Sequence, residues 1–300
     1  MGLFNHFKNK NNIKSYFNQA DRFMEYGDYK EALRCYNQIL ELIPENSTAL
    51  YNKAWLLSEL GSFNESLECY DKFLELKPKD SDGWLNRGNT LNLLGRFDKA
   101  LRSFDKALKI NPFCDYAWLS KGLSFKELGM FDEALKCFDE ALTIDPSNSN
   151  VLHAKALIFD RLKMFDEALE YYDKFLRLDP DNIGGWNNKC TILGKMGNFN
   201  EALNCFDKAL ILDPNDGSLY YNKGLAFTQL DKNFEALDCL DKSLNIDSEN
   251  GDAWFLKGVV LVELQRFDEA LKCYDKSLIL KPGFELAVNA RRDILSKINP

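Results

Sequence analysis

Residues 81–114 read SDGWLNRGNTLNLLGRFDKALRSFDKALKINPFC. Within them Trp84, Gly88, Leu91 and Leu94 keep the i, i+4, i+7 spacing of one helix face. A break follows at Gly95. Phe97, Ala100, Leu101, Phe104, Ala107 and Leu108 then resume helical spacing as far as Pro112, whose ring disfavours helical geometry in the residue before it. The stretch is a helical hairpin, two amphipathic helices joined by a short turn.

The proline that closes this hairpin recurs along the chain. Seven of the eight prolines stand at Pro44, Pro78, Pro112, Pro146, Pro180, Pro214 and Pro282, with Ser248 in the one skipped slot, so every interval is 34 residues or twice 34. Counting phase 1 from Ile13, eight units run without insertion: 13–46, 47–80, 81–114, 115–148, 149–182, 183–216, 217–250 and 251–284. A repeat of this length cannot bury its apolar face alone and does so by stacking on its neighbours. Small residues at phase 8 (Ala20, Ala54, Gly88, Gly122, Ala156, Cys190, Gly224, Gly258) and at phase 20 (Ala32, Ser66, Ala100, Ala134, Ala168, Ala202, Ala236, Ala270) let helix axes approach closely, and aromatics at phases 4 and 24 fill the space beside them. After Phe284 the pattern continues for one helix, with Val288, Leu295 and Ile298 on its apolar face. Arg292 fills phase 8 there, so no further helix approaches, and 285–300 reads as a capping helix.

Trp or Tyr, a small residue, Phe or Leu, then Ala, Phe or Tyr, Ala and Pro at these separations resemble the tetratricopeptide repeat, over residues 13–284. The resemblance implies an all-α fold, a right-handed α-solenoid of eight helix-turn-helix repeats. It also implies a concave groove lined by the first helices, with phases 2, 5, 6, 9, 12 and 13 as contact positions. Departures are local. Repeat 7 has Asp231 for the turn glycine, Phe234 one place beyond the usual aromatic, and Ser248 for proline, so its inner turn is expected to deviate or fray. Lys163 and Gln265 replace the same glycine in repeats 5 and 8.

Composition narrows the function classes. With 45% hydrophobic and 28% charged residues and a net charge of −8, the chain is a core-forming protein of acidic balance, which argues against a nucleic-acid partner. Only His6 and His153 supply imidazole, leaving little for acid–base catalysis or metal binding. No nucleophile–base pair, glycine-rich phosphate loop or metal cluster stands out, so the expectation is a protein without catalytic residues, cofactor or metal. No run approaches the roughly 18 consecutive apolar residues of a membrane helix, and MGLFNHFKNKNN lacks the features of a secretory signal, so a cytoplasmic address is expected. The leader, residues 1–12, reads as a frayed terminus or N-cap; contact with a membrane or with the first repeat is the alternative, and His6 stands where a myristoylation motif wants Ser or Thr.

Six of eight cysteines, Cys35, Cys69, Cys137, Cys205, Cys239 and Cys273, share phase 23. Equivalent positions on successive second helices are no closer than about 8 to 10 Å, beyond the reach of a disulfide. These six are expected as reduced packing cysteines, and Cys114 and Cys190 as local packing. Phase 7 is basic in seven repeats (Lys53, Arg87, Lys121, Lys155, Lys189, Lys223, Lys257), and phase 25 is Asp in the same seven (Asp71, Asp105, Asp139, Asp173, Asp207, Asp241, Asp275). Each Asp lies level with the cation of its own repeat and that of the next, which predicts an ion-pair ladder, including coupling of Lys155 with Asp173; separate solvated charges are the alternative.

Phase 6 is Asn18, Asn52, Asn86, Asn188 and Asn222 in five repeats. A row of amides, able to donate and accept, can pair with the backbone of an extended peptide, and it is similar to the asparagine ladder of long members of the resembled family. Water or a neighbouring helix can also satisfy such amides. The carboxylate clamp of other members requires Lys at phase 5, where this chain has Phe17, Tyr51, Leu85, Leu119, His153, Asn187, Tyr221 and Phe255, so the clamp is absent. In the middle of the row Ser120 and Ala154 replace the asparagines and Leu119, Leu123 and Leu157 sit at phases 5 and 9, either as apolar pockets or as packing between helices, and Tyr51, Trp55 and Tyr116 add interface-type aromatics. The function expected is a non-enzymatic scaffold that binds an extended peptide or partner segment in the groove. The alternatives are an accessory subunit directing a separate enzyme and a membrane-associated assembly factor.

Overall fold

A computed structural model describes the backbone of residues 2–298 and the side chains of residues 12–298. Among the described residues there are 17 helices and no strand. The chain divides after Val151 into two compact units. The first holds α1 (Gly2–Glu25), α2 (Tyr29–Leu42), α3 (Ser47–Glu59), α4 (Phe63–Leu76), α5 (Ser81–Leu93), α6 (Phe97–Ile110), α7 (Asp115–Glu127) and α8 (Phe131–Ile144). Most of α9 (Ser149–Arg161) belongs to the second, with α10 (Phe165–Leu178), α11 (Ile183–Lys195), α12 (Phe199–Leu212), α13 (Gly217–Gln229), α14 (Asn233–Ile246), α15 (Gly251–Glu263), α16 (Phe267–Leu280) and α17 (Glu285–Ile298). Each unit is a stack of helical hairpins, the α-solenoid class of all-α fold.

The turn inside each hairpin is set by one backbone angle. Phase 15 takes the left-handed conformation in every repeat, at Gly27, Gly61, Gly95, Gly129 and Gly197, and also at Lys163 (φ 60°), Asp231 (φ 55°) and Gln265 (φ 57°). The inner turn of repeat 7 thus keeps this angle and deviates in one bond, Leu230 N–H donating to the Phe227 carbonyl three residues back where the other repeats reach four back. Lys232 N–H donates to the Phe227 carbonyl at 3.0 Å, the bond that Ser62 makes to Leu57 at 2.8 Å in repeat 2. The helix-end motif holds because its hydrogen bonds define it, and a non-glycine residue there costs strain rather than geometry. Phe234, displaced from the aromatic slot, is 74% exposed.

Between repeats, the first helix is entered through a side-chain cap and pinned by tryptophan. Asn46, Asp80, Asn182, Asp216 and Asn250 accept a hydrogen bond from the backbone N–H three residues on. The indole N–H of Trp84, Trp118 and Trp186 donates to the carbonyl of Pro78, Pro112 and Pro180 at 2.8–3.0 Å.

The close approach expected at phase 8 has a definite partner at phase 24. A Cβ at Gly88 or Gly122 would fall on the ring of Phe104 or Phe138, and one at Gly258 would lie 2.5 Å from Tyr274. Phase 3 is a second close approach, which periodicity had not singled out: a Cβ at Gly83 would meet the Phe73 ring of the preceding repeat at 2.5 Å. In α17 Ala287 and Ile294 are the buried residues, Val288 and Leu295 are half-buried, and Ile298 and Arg292 are exposed. The leader backbone is helical from Gly2 and continues into the first repeat as α1. Its expected contacts with a membrane or the first repeat concern side chains outside the described residues.

Two expectations need correction. Cys190 and Cys205 form a disulfide, with Cα atoms 5.4 Å apart. Comparing phase 23 with phase 23 missed the pair that meets inside a hairpin, phase 8 on the first helix with phase 23 on the second, and repeat 6 alone has cysteine at both. The remaining cysteines with described side chains are free. The charge ladder, secondly, forms as expected toward the cation of the next repeat, and what needs correction is the pairing of Lys155 with Asp173 inside one repeat. Asp71 pairs with Arg87 (2.6 Å), Asp105 with Lys121 (2.7 Å), Asp173 with Lys189 (2.5 Å), Asp207 with Lys223 and Asp241 with Lys257 (2.6 Å). It continues into α17 through Asp275 and Arg291 (2.5 Å). The partner of Asp173 is thus Lys189, not Lys155, which is buried with its ammonium 4.5 Å from the Tyr171 ring centre. Lys121, Lys189 and Lys257 also lie over the rings of Trp118, Trp186 and Trp254, 5.2–5.4 Å from their centres.

Candidate functional site

In the first unit the expected residues converge on one cavity. Asn52 Nδ2 donates to the Tyr36 hydroxyl at 3.3 Å, and Asn86 Nδ2 donates to the Tyr51 hydroxyl at 2.7 Å. Tyr51 is itself held by the rings of Tyr70 and Phe73, at centroid distances of 6.0 and 5.2 Å. Asp21, Met24, Tyr36, Tyr51, Asn52, Trp55 and Asn86 line an open cavity of about 430 Å³. Burial pushes both phenols above their ordinary range; nearby carboxylates add to this, Asp21 at Tyr36 and Asp82 and Asp80 at Tyr51, while the asparagine amides oppose it.

Four residues singled out in the sequence, Tyr51, Asn52, Trp55 and Asn86, are therefore brought together. Tyr36 was missed because phase 24 reads as core. Its signal was a tyrosine where repeats 3 and 4 have Phe104 and Phe138, since a buried hydroxyl needs a polar neighbour. Asp21 and Met24 occupy phases 9 and 12, contact positions in the resembled family. Asn18 is exposed on α1, Tyr116 is 62% exposed on α7, Leu123 is half-buried and Leu119 is only 7% exposed. Leu119 thus offers little surface to a ligand.

The second unit carries the remaining residues in a different arrangement. Asn222 Nδ2 donates to Asn187 Oδ1 at 3.0 Å, an amide pair spanning α13 and α11. Asn188 sits beside the Tyr172 hydroxyl and opposes the upward shift that burial gives this phenol. Leu157 is half-buried, and the His153 ring stacks on Phe175 at 5.0 Å. A cavity of about 480 Å³ is lined by Asn222, Leu225, Ala226 and Gln229 from one side and by Cys190, Thr191, Gly194 and Lys195 from the other, with Phe199 and Phe206 below. Asn222 is the one expected site residue on its wall. Asn187 was passed over; its signal was an amide at phase 5, where most repeats carry an apolar or aromatic residue.

An asparagine amide has two N–H donors and a carbonyl able to accept twice. In Asn52, Asn86 and Asn222 a neighbour takes one N–H, and the carbonyl oxygen accepts no bond from the described residues. Such an anchored amide can still accept from a main-chain N–H and donate to a main-chain carbonyl. Among the described residues, no helix is long and apolar enough to cross a membrane.

Comparison with known proteins agrees with this architecture. Four models, each described as tetratricopeptide repeat, match the chain: one over 81–114, 116–148, 184–216 and 251–284, and the others over 23–89, 149–182 and 217–250. No curated protein matches it by sequence. Among solved structures, a chain of the APC/C hetero-tetramer Cut9–Hcn1 aligns over 93% of this chain at 20% identity and a TM-score of 0.58, and this chain spans 55% of it. YrrB, described as a TPR protein with an unusual peptide-binding site, aligns over 63% of this chain and 97% of its own at 23% identity and a TM-score of 0.53. The C-terminal part of a TPR repeat-containing protein from Cytophaga hutchinsonii aligns over 80% of this chain and 98% of its own, at 16% identity and a TM-score of 0.69. At these identities the likeness is one of fold.

Proposed function

Since the chain belongs to the tetratricopeptide repeat family, a family of protein-interaction scaffolds, we propose that it is a non-enzymatic scaffold holding an extended peptide on the first-helix face of its repeats. The observation that carries this reading is the anchoring of Asn52 by Tyr36 and of Asn86 by Tyr51 at the wall of one cavity. An amide held in place by its neighbour loses little freedom when it meets a peptide backbone, and pre-organisation of this kind raises affinity. Asn18, Asn188 and Asn222 extend the same chemistry to other repeats. Tyr51, Trp55 and Tyr116 supply aromatic contact area, and Leu123 and Leu157 supply apolar contact. Leu119 acts from behind, by packing.

Backbone recognition by amides is tolerant of side chains, so the protein is expected to retain many extended peptides weakly. The test is a fluorescence titration of the full chain with mixed-sequence acetylated decapeptides, against a variant carrying Asn52→Ala and Asn86→Ala. Weaker retention by the variant at unchanged helicity supports the reading; equal retention moves the site elsewhere.

A further inference from the structure

The cavity of the first unit has an unusual lining for a peptide-backbone site. Its aromatic walls are the half-buried Tyr51 and Trp55, with Tyr36 almost fully buried, and the exposed Asp21 also lines it. Each amide gives one N–H to a phenol of the same lining, Asn52 to Tyr36 and Asn86 to Tyr51, and its carbonyl oxygen accepts no bond from the described residues. Aromatic faces, amide oxygens and a carboxylate all attract a cation. Asp21 has no cationic partner among the described residues.

The surrounding surface has the same sign. On the contact phases of the first three repeats the carboxylates are Asp21, Glu25, Glu59 and Asp82, all exposed, against the single cation Lys14. In the fourth repeat Lys126 and Glu127 pair with each other at 3.0 Å. A volume of about 430 Å³ falls within the roughly 300–1,000 Å³ of small-ligand sites. Among basic side chains the guanidinium fits best, because its plane stacks on aromatic rings while its five N–H groups need several acceptors at once.

We propose that this cavity is a specificity pocket for an arginine side chain of the bound peptide, seated against Trp55 and Tyr51, with its guanidinium directed at Asp21 and the Asn52 and Asn86 carbonyls. The assignment rests on the peptide-binding reading above and adds to it the chemistry of one ligand position. It makes the preferred partner a basic, extended segment. The tolerant amide contacts hold its backbone, and the pocket selects its register.

The test uses the full chain and pools of labelled acetylated decapeptides with one central residue fixed as arginine, lysine, citrulline or glutamate and the rest randomised. Citrulline keeps the shape of arginine without its charge. Binding is read by fluorescence anisotropy for wild type, Asp21→Asn and Glu68→Gln, the last removing an equal charge from exposed α4. The expected result is retention of the arginine pool at least fivefold tighter than the citrulline pool, a preference that Asp21→Asn abolishes and Glu68→Gln leaves intact. Pools that bind without preferring arginine, or a preference lost equally in both variants, would overturn the pocket while leaving peptide binding standing. Failure of every pool to bind would overturn both.

Discussion

The Trp254 indole N–H donates to the Ser248 carbonyl at 2.9 Å, the same bond that Trp84 makes to Pro78 at 3.0 Å. What the tryptophan recognises at the repeat junction is a main-chain oxygen in a fixed place, not a pyrrolidine ring. The seventh junction is therefore built to the pattern of the others with a more flexible residue in it. Ser248→Pro should stabilise the protein by about 0.4–1 kcal/mol, because proline restricts the unfolded chain at a site already shaped for it. Urea denaturation of the variant measures the gain; a loss would mean that the Ser248 backbone differs from that of the prolines.

A left-handed backbone at Lys163 gives a second prediction. Its φ of 60° is tolerated by glycine and strained for lysine. Lys163→Gly is expected to raise stability by up to about 1 kcal/mol, and Lys163→Val to lower it by more than that, since a β-branched residue resists this region most. The two denaturation midpoints should move in opposite directions.

The ladder predicts coupling between repeats. A double-mutant cycle with Lys189→Met and Asp173→Asn should return roughly 0.2–1 kcal/mol, the size of a solvent-screened pair, since the carboxylates of the ladder remain 45–59% exposed. The coupling should shrink in molar salt. A value indistinguishable from zero at low salt would make these charges independent surface residues.

Thiol chemistry checks the cysteine assignment. Burial pushes the Cys137, Cys239 and Cys273 thiols up to about 11, so at pH 8 almost none of each is thiolate. A folded-state value above the unfolded one means that stability is fully present below pH 9 and declines between pH 9 and 11 as the unfolded chain gives up these protons first. Alkylation at pH 8 should spare these three until the protein unfolds, and peptide mapping should recover Cys190 and Cys205 as one linked pair released only by reductant. Free alkylation of Cys190 without reductant would remove the disulfide.

For the amide row, Asn52→Ala with Asn86→Ala should weaken binding of the citrulline decapeptide pool by about tenfold or more, at roughly 0.5–1.5 kcal/mol per lost contact. Neutral amides make that part of the affinity almost independent of salt. The arginine pool should weaken modestly as salt rises, because one exposed carboxylate is screened. A steep salt dependence with citrulline in place would assign binding to an electrostatic surface instead.

Nearly all of the hairpin architecture was legible in the sequence because a 34-residue period repeats each packing requirement eight times. Small phase 8 residues, the Pro112-type stop and the turn at Gly95 each announce a local constraint with its own chemistry. The legible part of the site was the part on the same face of successive first helices: Asn52, Asn86, Tyr51 and Trp55. Contacts between unlike phases were harder to see. Tyr36 reaching Asn52, Cys190 meeting Cys205 and Asp173 choosing Lys189 each depend on how one helix tilts against another, which residue spacing along a single helix does not encode. Leu119 shows the same limit, since its phase marks a contact position while its environment buries it.

In each unit the cross-repeat bonds join a hairpin to the next one: Asp71 to Arg87, Asn86 to Tyr51, Asn222 to Asn187, Trp186 to Pro180. In a linear array, stability divides into what each repeat contributes alone and what each boundary contributes. Bonds placed at boundaries penalise states in which one repeat melts beside a folded neighbour, so they sharpen unfolding as well as strengthening the native state. The share of the boundary term carried by charge is open to ions. Raising salt should therefore broaden the unfolding transition and lower its midpoint together, as the repeats begin to melt one at a time.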